Sequence, residues 1–290
     1  MVNGFRPRTL REALQILSAN NCTVMAGGTD LMVQRARGFS IRPDFDRPLV
    51  FIEPLEELKH SVRENGTLHL GPCMTLSDLL RHPAVPDPLK EIIGMMASPP
   101  TRNMATLGGN ICNASPAGDT LPWLYAMNAK LKLQSAEKER IVAIEDFITG
   151  PKKTILQSDE LLTGILVPDT RFHLNRYRKL GQRKGMSLTK ASFLGMAEIS
   201  GNTVTDIRIA LGSVAPRIVR AAEIERSMLG RYVGDINAAA AVITERYQPL
   251  ITPIDDARST AMYRKKVSLD LIRQFLETLS GSPGTGTKSE

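Results

Sequence analysis

The chain has 290 residues, 42% hydrophobic and 23% charged, a balance that fits one large globular domain or two modest ones with a buried core. Its 37 Lys and Arg against 30 Asp and Glu leave a formal charge of +7, which suits an anionic cofactor or an acidic partner subunit; no zinc-finger spacing, aromatic RNA-binding signature or long Lys/Arg block supports nucleic acid. The three cysteines, Cys22, Cys73 and Cys112, are too few for an iron–sulfur cluster, no apolar run approaches a membrane span, and the first residues lack a signal-peptide core, so a cytoplasmic protein with no metal of its own is expected.

Leu10, Ala13, Leu14 and Leu17 recur at helical spacing and predict an amphipathic helix over 8–19, ended by Asn20-Asn21. CTVMAGGTDL (22–31) reads as a short apolar strand, a Gly-Gly turn and a helix starting at Thr29. PLVFIE (48–53) is a second short strand, and the alternation predicts a small parallel α/β unit. GTLHLG (66–71) alternates as a strand, Thr75 with Asp78 forms a capping-box pattern, and Pro88 to Met96 reads as a helix ended by Ser98-Pro99-Pro100. AKLKLQS (129–135), RIVAI (140–144) and ELLTGILVP (160–168) predict strands of a second, more antiparallel sheet, and Pro168-Asp169-Thr170 is the expected domain boundary. Beyond it, the basic run RFHLNRYRKLGQRKG (171–185) leads into two strands around Gly201-Asn202, which read as a β-hairpin. Helical patterns follow near 218–230, 235–247 and 256–279, and the tail 280–290 reads as disordered.

Two Gly-rich stretches carry the chemistry: AGGTD (26–30) and TLGGN (106–110), the latter inside TRNMATLGGNICNASPAGDT (101–120). Glycines between a strand and a helix expose backbone N–H groups where the helix N-terminus adds positive potential, an arrangement suited to phosphate. Two such loops facing each other could hold a pyrophosphate without Lys or Arg. Either pair alone reads equally as a plain turn, and neither matches a Walker A loop or G-x-G-x-x-G.

AGGTDL, followed some way on by RNMATLGGNICNASPAGDTLP, resembles the FAD-binding medium subunit of the molybdenum hydroxylases, the xanthine dehydrogenase and carbon monoxide dehydrogenase relatives. LGPCMTLSDLL (70–80), DFITGPKKTILQSDELLTGILVP (146–168), YRKLGQRKGMSLTKASFLGMA (177–197), IALGSVAPRIVRAAEIE (209–225) and STAMYRKKVSLDLI (259–272) extend the likeness over nearly the whole chain. It implies an α+β fold. An FAD-binding domain at 1–170 would hold two α/β subdomains of the vanillyl-alcohol-oxidase-like (PCMH) type. A C-terminal domain at 171–280 would carry a three-stranded antiparallel sheet with helices, followed by a disordered tail at 281–290.

The resemblance also implies non-covalent FAD, with the first Gly segment, Val24, Met25, Ala26, Gly27, Gly28, Thr29, Asp30 and Leu31, wrapping its pyrophosphate. Thr106, Gly109 and Asn110 would meet the diphosphate and ribityl region, and Asn113, Ser115 and Asp119 the flavin and adenosine parts. Asp119 could accept paired hydrogen bonds from ribose hydroxyls, or simply cap the helix before Leu121-Pro122-Trp123. Leu162 would meet a ring of the cofactor through its backbone, and Lys179 would stand near the isoalloxazine, unless it is one member of a solvated basic run. Cys112 falls where the chain should run close to the flavin, though a lone Cys is usually a packing residue.

No Ser/His/Asp or Cys/His constellation asks for a catalytic side chain, and His60, His69, His82 and His173 form no metal-ligand spacing. The resemblance therefore implies an electron-transfer subunit. Partners would be a small subunit with two [2Fe–2S] clusters and a molybdopterin large subunit, with NAD⁺ or another acceptor taking the electrons. The basic loop 181–190, with Arg183 and Lys184, leaves the acceptor open. The rival reading is a free-standing FAD-dependent oxidoreductase acting on its own small substrate.

Overall fold

The computed structural model describes residues 4–36, 38, 41–183 and 187–279, and the statements below concern those residues. They group into two compact units, one from the described residues of 1–115 and 128–169, the other from those of 116–127 and 170–279. Pro116–Met127, which the linear reading placed inside the 1–170 domain, thus belongs with the C-terminal segment. Lys184 and the tail lie outside the described residues.

The first unit begins with β1 (Gly4–Phe5), α1 (Leu10–Ala19), β2 (Thr23–Met25), α2 (Leu31–Arg35) and β3 (Leu49–Phe51). β1 and β2 both pair with β3 in parallel. Thr9 sets the start of α1 by accepting the Glu12 N–H, and Ala13, Leu14 and Leu17 share a buried cluster with Val50, Ile52 and Leu55. β4 (Ser61–Glu64) and β5 (Thr67–Leu70) form a hairpin whose first strand sequence pattern does not announce. Asn65 at φ 49° and Gly66 at φ 71° close it, both in the left-handed region that a tight two-residue turn requires.

Helices α3 (Leu76–Arg81), α4 (Asp87–Gly94), α5 (Pro99–Arg102) and α6 (Leu107–Cys112) follow. The Thr75–Asp78 capping box forms in both directions at the start of α3. Ser98 does more than end a helix: its hydroxyl accepts the Thr101 N–H and starts α5, whose prolines fit a first turn that needs no N–H. After α7 (Leu121–Ala126) of the other unit, the chain returns with β6 (Lys130–Gln134), β7 (Glu139–Ala143), α8 (Ile144–Phe147), β8 (Ile148–Gly150), β9 (Lys153–Thr154) and β10 (Leu161–Pro168). The resulting sheet has the order β4-β5-β10-β6-β7, antiparallel throughout.

A buried carboxylate paired with an arginine braces this sheet. Arg140 donates from Nε and one terminal nitrogen to the two oxygens of Glu160, at 2.7 and 2.8 Å, and the fully buried carboxylate also accepts the Gln157 N–H at 3.0 Å. The Arg140 guanidinium holds the Glu160 carboxyl below its ordinary pKa. A depressed carboxylate contributes stability that is complete above its unfolded value, about 4.3, and is lost as pH falls through the lower folded value. Arg140→Ala should therefore cost about 2–4 kcal/mol at neutral pH, discounted because the arginine is a third exposed. The penalty should shrink in acid, and urea melts at pH 7 and pH 3 check both statements.

In the second unit, β11 (Leu174–Leu180), β12 (Ala191–Ser200), β13 (Thr203–Gly212) and β14 (Val219–Arg220) form an antiparallel sheet in that order. The described sheet therefore has four strands where three were expected. β14 falls at the start of the pattern read as helical over 218–230, because two residues are too few to show a period of two; the helix itself, α9, is Ala222–Arg226. The β12–β13 hairpin turns at Gly201, φ 59°, as its Gly-Asn signal predicts. α10 (Val233–Ala238), α11 (Ala240–Tyr247) and α12 (Ala261–Thr278) complete the unit. Phe275 of α12 packs on Phe193 and against the bare backbone of Gly195.

Two arginines anchor α7 to this unit. Arg208 donates to the Ala126 carbonyl at 2.8 Å and Arg220 to the Tyr125 carbonyl at 2.7 Å, so cations satisfy carbonyls at the C-terminal end of the helix. Arg220 is held in turn by buried Glu225, which also accepts the Ile209 N–H.

Candidate functional site

In the first unit, the segment after β2 turns sharply at Gly28, whose φ of 67° favours glycine. Gly27 is required for a different reason: a Cβ there would lie 1.7 Å from the Met104 carbonyl oxygen and 3.1 Å from the Ala105 Cα. The first Gly segment therefore lies directly against the backbone that leads into the second. Val24 and Met25 pair with Val50 and Phe51 of β3, and the Ile52 N–H donates to the Met25 carbonyl. Ala26, Gly27, Gly28 and Thr29 are partly exposed, and Asp30 and Leu31 lead into α2. Among the described residues, the N–H groups of Gly27, Gly28 and Thr29 donate to no protein acceptor. Neighbouring unpaired amides at a glycine turn make a concave donor set suited to an anion.

The second Gly segment is not a loop but the first turn of α6. Thr106 caps it by accepting the Gly109 N–H at 3.0 Å. The Leu107 and Gly108 N–H groups donate to the Met74 and Pro72 carbonyls, and the Asn110 N–H to the Thr106 carbonyl. These amides are engaged within the protein, so the free amide row belongs to the first segment. The two glycines divide the work. Gly108 is buried, and a Cβ on it would lie 2.8 Å from the Pro72 carbonyl oxygen; Gly109 is exposed, where the chain can be approached from outside.

The end of α6 meets the first segment through side chains. Asn113 Oδ1 accepts from Gln34 Nε2 at 2.9 Å and from Lys152 Nζ at 2.7 Å. Asp30 Oδ2 accepts from the same two donors at 2.5 and 3.1 Å. Gln34 and Lys152 were not singled out as site residues in the sequence: both are ordinary polar residues, the first just past AGGTDL and the second inside the 146–168 segment. Ser115 is partly exposed just beyond this cluster. Leu162 is buried on β10 opposite Leu133, next to a bulge at Thr163 that shifts the register before Gly164 and redirects the local backbone. Cys112 closes α6, and desolvation pushes its thiol up to about 12, so it is a neutral thiol at physiological pH rather than a nucleophile.

The remaining two predicted residues lie in the second unit, and they face each other. Lys179 Nζ donates to Asp119 Oδ2 at 2.7 Å, and both side chains are at most 10% exposed. The other carboxylate oxygen accepts from Thr189 Oγ1 at 2.6 Å and from the Tyr177 hydroxyl at 3.3 Å. Asp119 does not cap α7: the capping position is Thr120, with no side-chain cap bond. Lys179 is no solvated member of the basic run. Alternation along β11 turns Tyr177 and Lys179 inward and leaves Arg176 and Arg178 exposed. Thr189 and Tyr177 carry no sequence signal beyond that alternation.

A family profile described as the FAD binding domain in molybdopterin dehydrogenase matches residues 1–170, and one described as the CO dehydrogenase flavoprotein C-terminal domain matches residues 176–279. The glyceraldehyde dehydrogenase medium chain of Sulfolobus acidocaldarius is 31% identical over 268 residues, covering 90% of this chain and 92% of that one. The carbon monoxide dehydrogenase medium chain of Hydrogenophaga pseudoflava is 28% identical over 93% of this chain and 94% of its own length. A solved structure of the carbon monoxide dehydrogenase of that organism, lacking the Mo-pyranopterin moiety of its cofactor, superposes with a TM-score of 0.86 at 26% identity, over 97% of each chain.

Proposed function

Since the chain belongs to the FAD-binding medium subunits of the molybdenum hydroxylases, an oxidoreductase family, we propose that it serves as the electron-transfer subunit of such a complex. In this reading a small subunit delivers electrons from [2Fe–2S] clusters, a molybdopterin large subunit oxidises the substrate, and NAD⁺ or another acceptor receives the electrons. Bound FAD supplies the redox chemistry, accepting electrons singly or in pairs.

The observation that carries the reading is the row of unpaired Gly27, Gly28 and Thr29 amides, in a turn where a Cβ at Gly27 would strike the Met104 carbonyl. These groups fit a pyrophosphate: they are donors, they are neutral, and glycine lets the ligand reach the backbone. The chain's own residues bind and orient the cofactor, and no side chain is asked to act as nucleophile or general base.

The test is a visible spectrum of the purified chain followed by titration with FAD and then with NADH without oxygen. A flavin band with one FAD per chain supports the subunit assignment, and bleaching by NADH supports NAD⁺ as the acceptor. A flavin that NADH leaves oxidised points to another acceptor. A chain that neither carries nor takes up FAD overturns the reading.

A further inference from the structure

Lys152 lies outside both Gly segments, on the turn between β8 and β9, yet it reaches both. Its Nζ donates to Asn113 Oδ1, at the end of α6, and to Asp30 Oδ2, at the start of α2. Gln34 Nε2 donates to the same two oxygens. Two donors and two acceptors therefore close a ring that ties three separate chain segments together.

The backbone under Lys152 is also fixed. Its N–H donates to the Ala114 carbonyl at 2.9 Å, and Lys152 at φ 60° and Ala114 at φ 46° both occupy the left-handed region. Residues with a Cβ stay there when their surroundings impose it. The turn is thus docked on the end of α6 by its main chain, and the lysine side chain starts from a set position. The ring is about half exposed at Lys152 and Asp30, so its worth lies in holding geometry rather than in a buried charge.

We propose that Lys152 is a positioning residue for the cofactor: with Gln34 it latches the first Gly segment to the end of α6, so that the Gly27–Thr29 amides stand in place before FAD arrives. A preformed donor set spends less of its binding free energy on ordering. The inference rests on the FAD reading above. Its competitor is a lysine that acts as a point charge on the cofactor's phosphates.

The experiment is FAD titration of the full-length apoprotein for the native chain, Lys152→Met, Lys152→Arg, Gln34→Ala and the Lys152→Met/Gln34→Ala double variant, with tryptic cleavage at Arg35 followed in the absence of FAD. Lys152→Met is expected to weaken FAD binding about tenfold. Lys152→Arg should restore most of it. Because the two donors share acceptors, the double variant should lose more than the product of the single losses. Cleavage at Arg35 should speed up in Lys152→Met apoprotein. Unchanged affinity in Lys152→Met overturns the proposal, and so do losses that simply multiply, the outcome for a lone point charge. If the native chain takes up no FAD, the functional reading fails separately. Cleavage then still decides whether the latch exists: an unchanged rate at Arg35 removes it.

Discussion

Gly27→Ala is expected to remove FAD binding and to cost the first unit about 3 kcal/mol, near the upper end of ordinary overpacking effects. The added methyl would fall 1.7 Å from the Met104 carbonyl oxygen, a backbone atom, and a Cβ has no rotamer of its own, so no side-chain movement can relieve the clash. Either the Gly27–Thr29 turn or the approach to α6 must move, and the movement displaces the unpaired amides. Gly94→Ala is the control: it lies in α4 with nothing within 4 Å of a new Cβ, and alanine favours helix, so it should be neutral or slightly stabilising. Calorimetry and FAD titration on both variants make the comparison. A Gly27→Ala chain that binds FAD like the native one would show that the cofactor is held elsewhere.

Lys179→Met should destabilise the second unit by about 3–5 kcal/mol, because it leaves the Asp119 carboxylate buried with its cation gone. The donors from Thr189 and Tyr177 remain, and they are too few to replace an ammonium at 2.7 Å. Adding Asp119→Asn to the same chain should recover a large part of the loss, since a neutral amide costs far less to bury than an unpaired charge. Trp123 gives a selective readout. It is the chain's one tryptophan, it is buried, and it lies on α7 in the same unit as the pair. Its fluorescence in urea reports this unit directly, where a whole-chain transition would mix two units. If Lys179→Met unfolds at the native urea concentration, the pair contributes nothing to stability.

Much of the fold was legible because its signals are short. Thr75 caps α3 by accepting the Asp78 N–H, and the Thr75–Asp78 pattern can be read from a string of letters. Gly201 marks its hairpin for the same reason. The Asn65-Gly66 turn was equally present in the letters, but the strand before it, Ser-Val-Arg-Glu, has no apolar alternation to draw attention to the pair. β14 and the allotment of Pro116–Met127 were not legible: one is two residues long, and the other is set by contacts with distant strands, among them Arg208 and Arg220 donating to carbonyls 82 and 95 residues away.

The candidate site divides along the same line. By itself the sequence determined which residues could form it: two glycine pairs, the small polar residues around them, and an order of motifs along the whole chain that matches one family. The tertiary structure decided which partners each residue meets. It gave the free amides to the first segment and turned the second into a capped helix whose amides are already engaged. It paired Asp119 with Lys179, 60 residues on, and brought Lys152 to Asp30 across 122 residues. The physical reason is reach. A cap or a turn is satisfied within four residues and is written in local sequence, whereas an ion pair or a backbone contact between distant segments exists only once strand register and helix docking have set both ends in place.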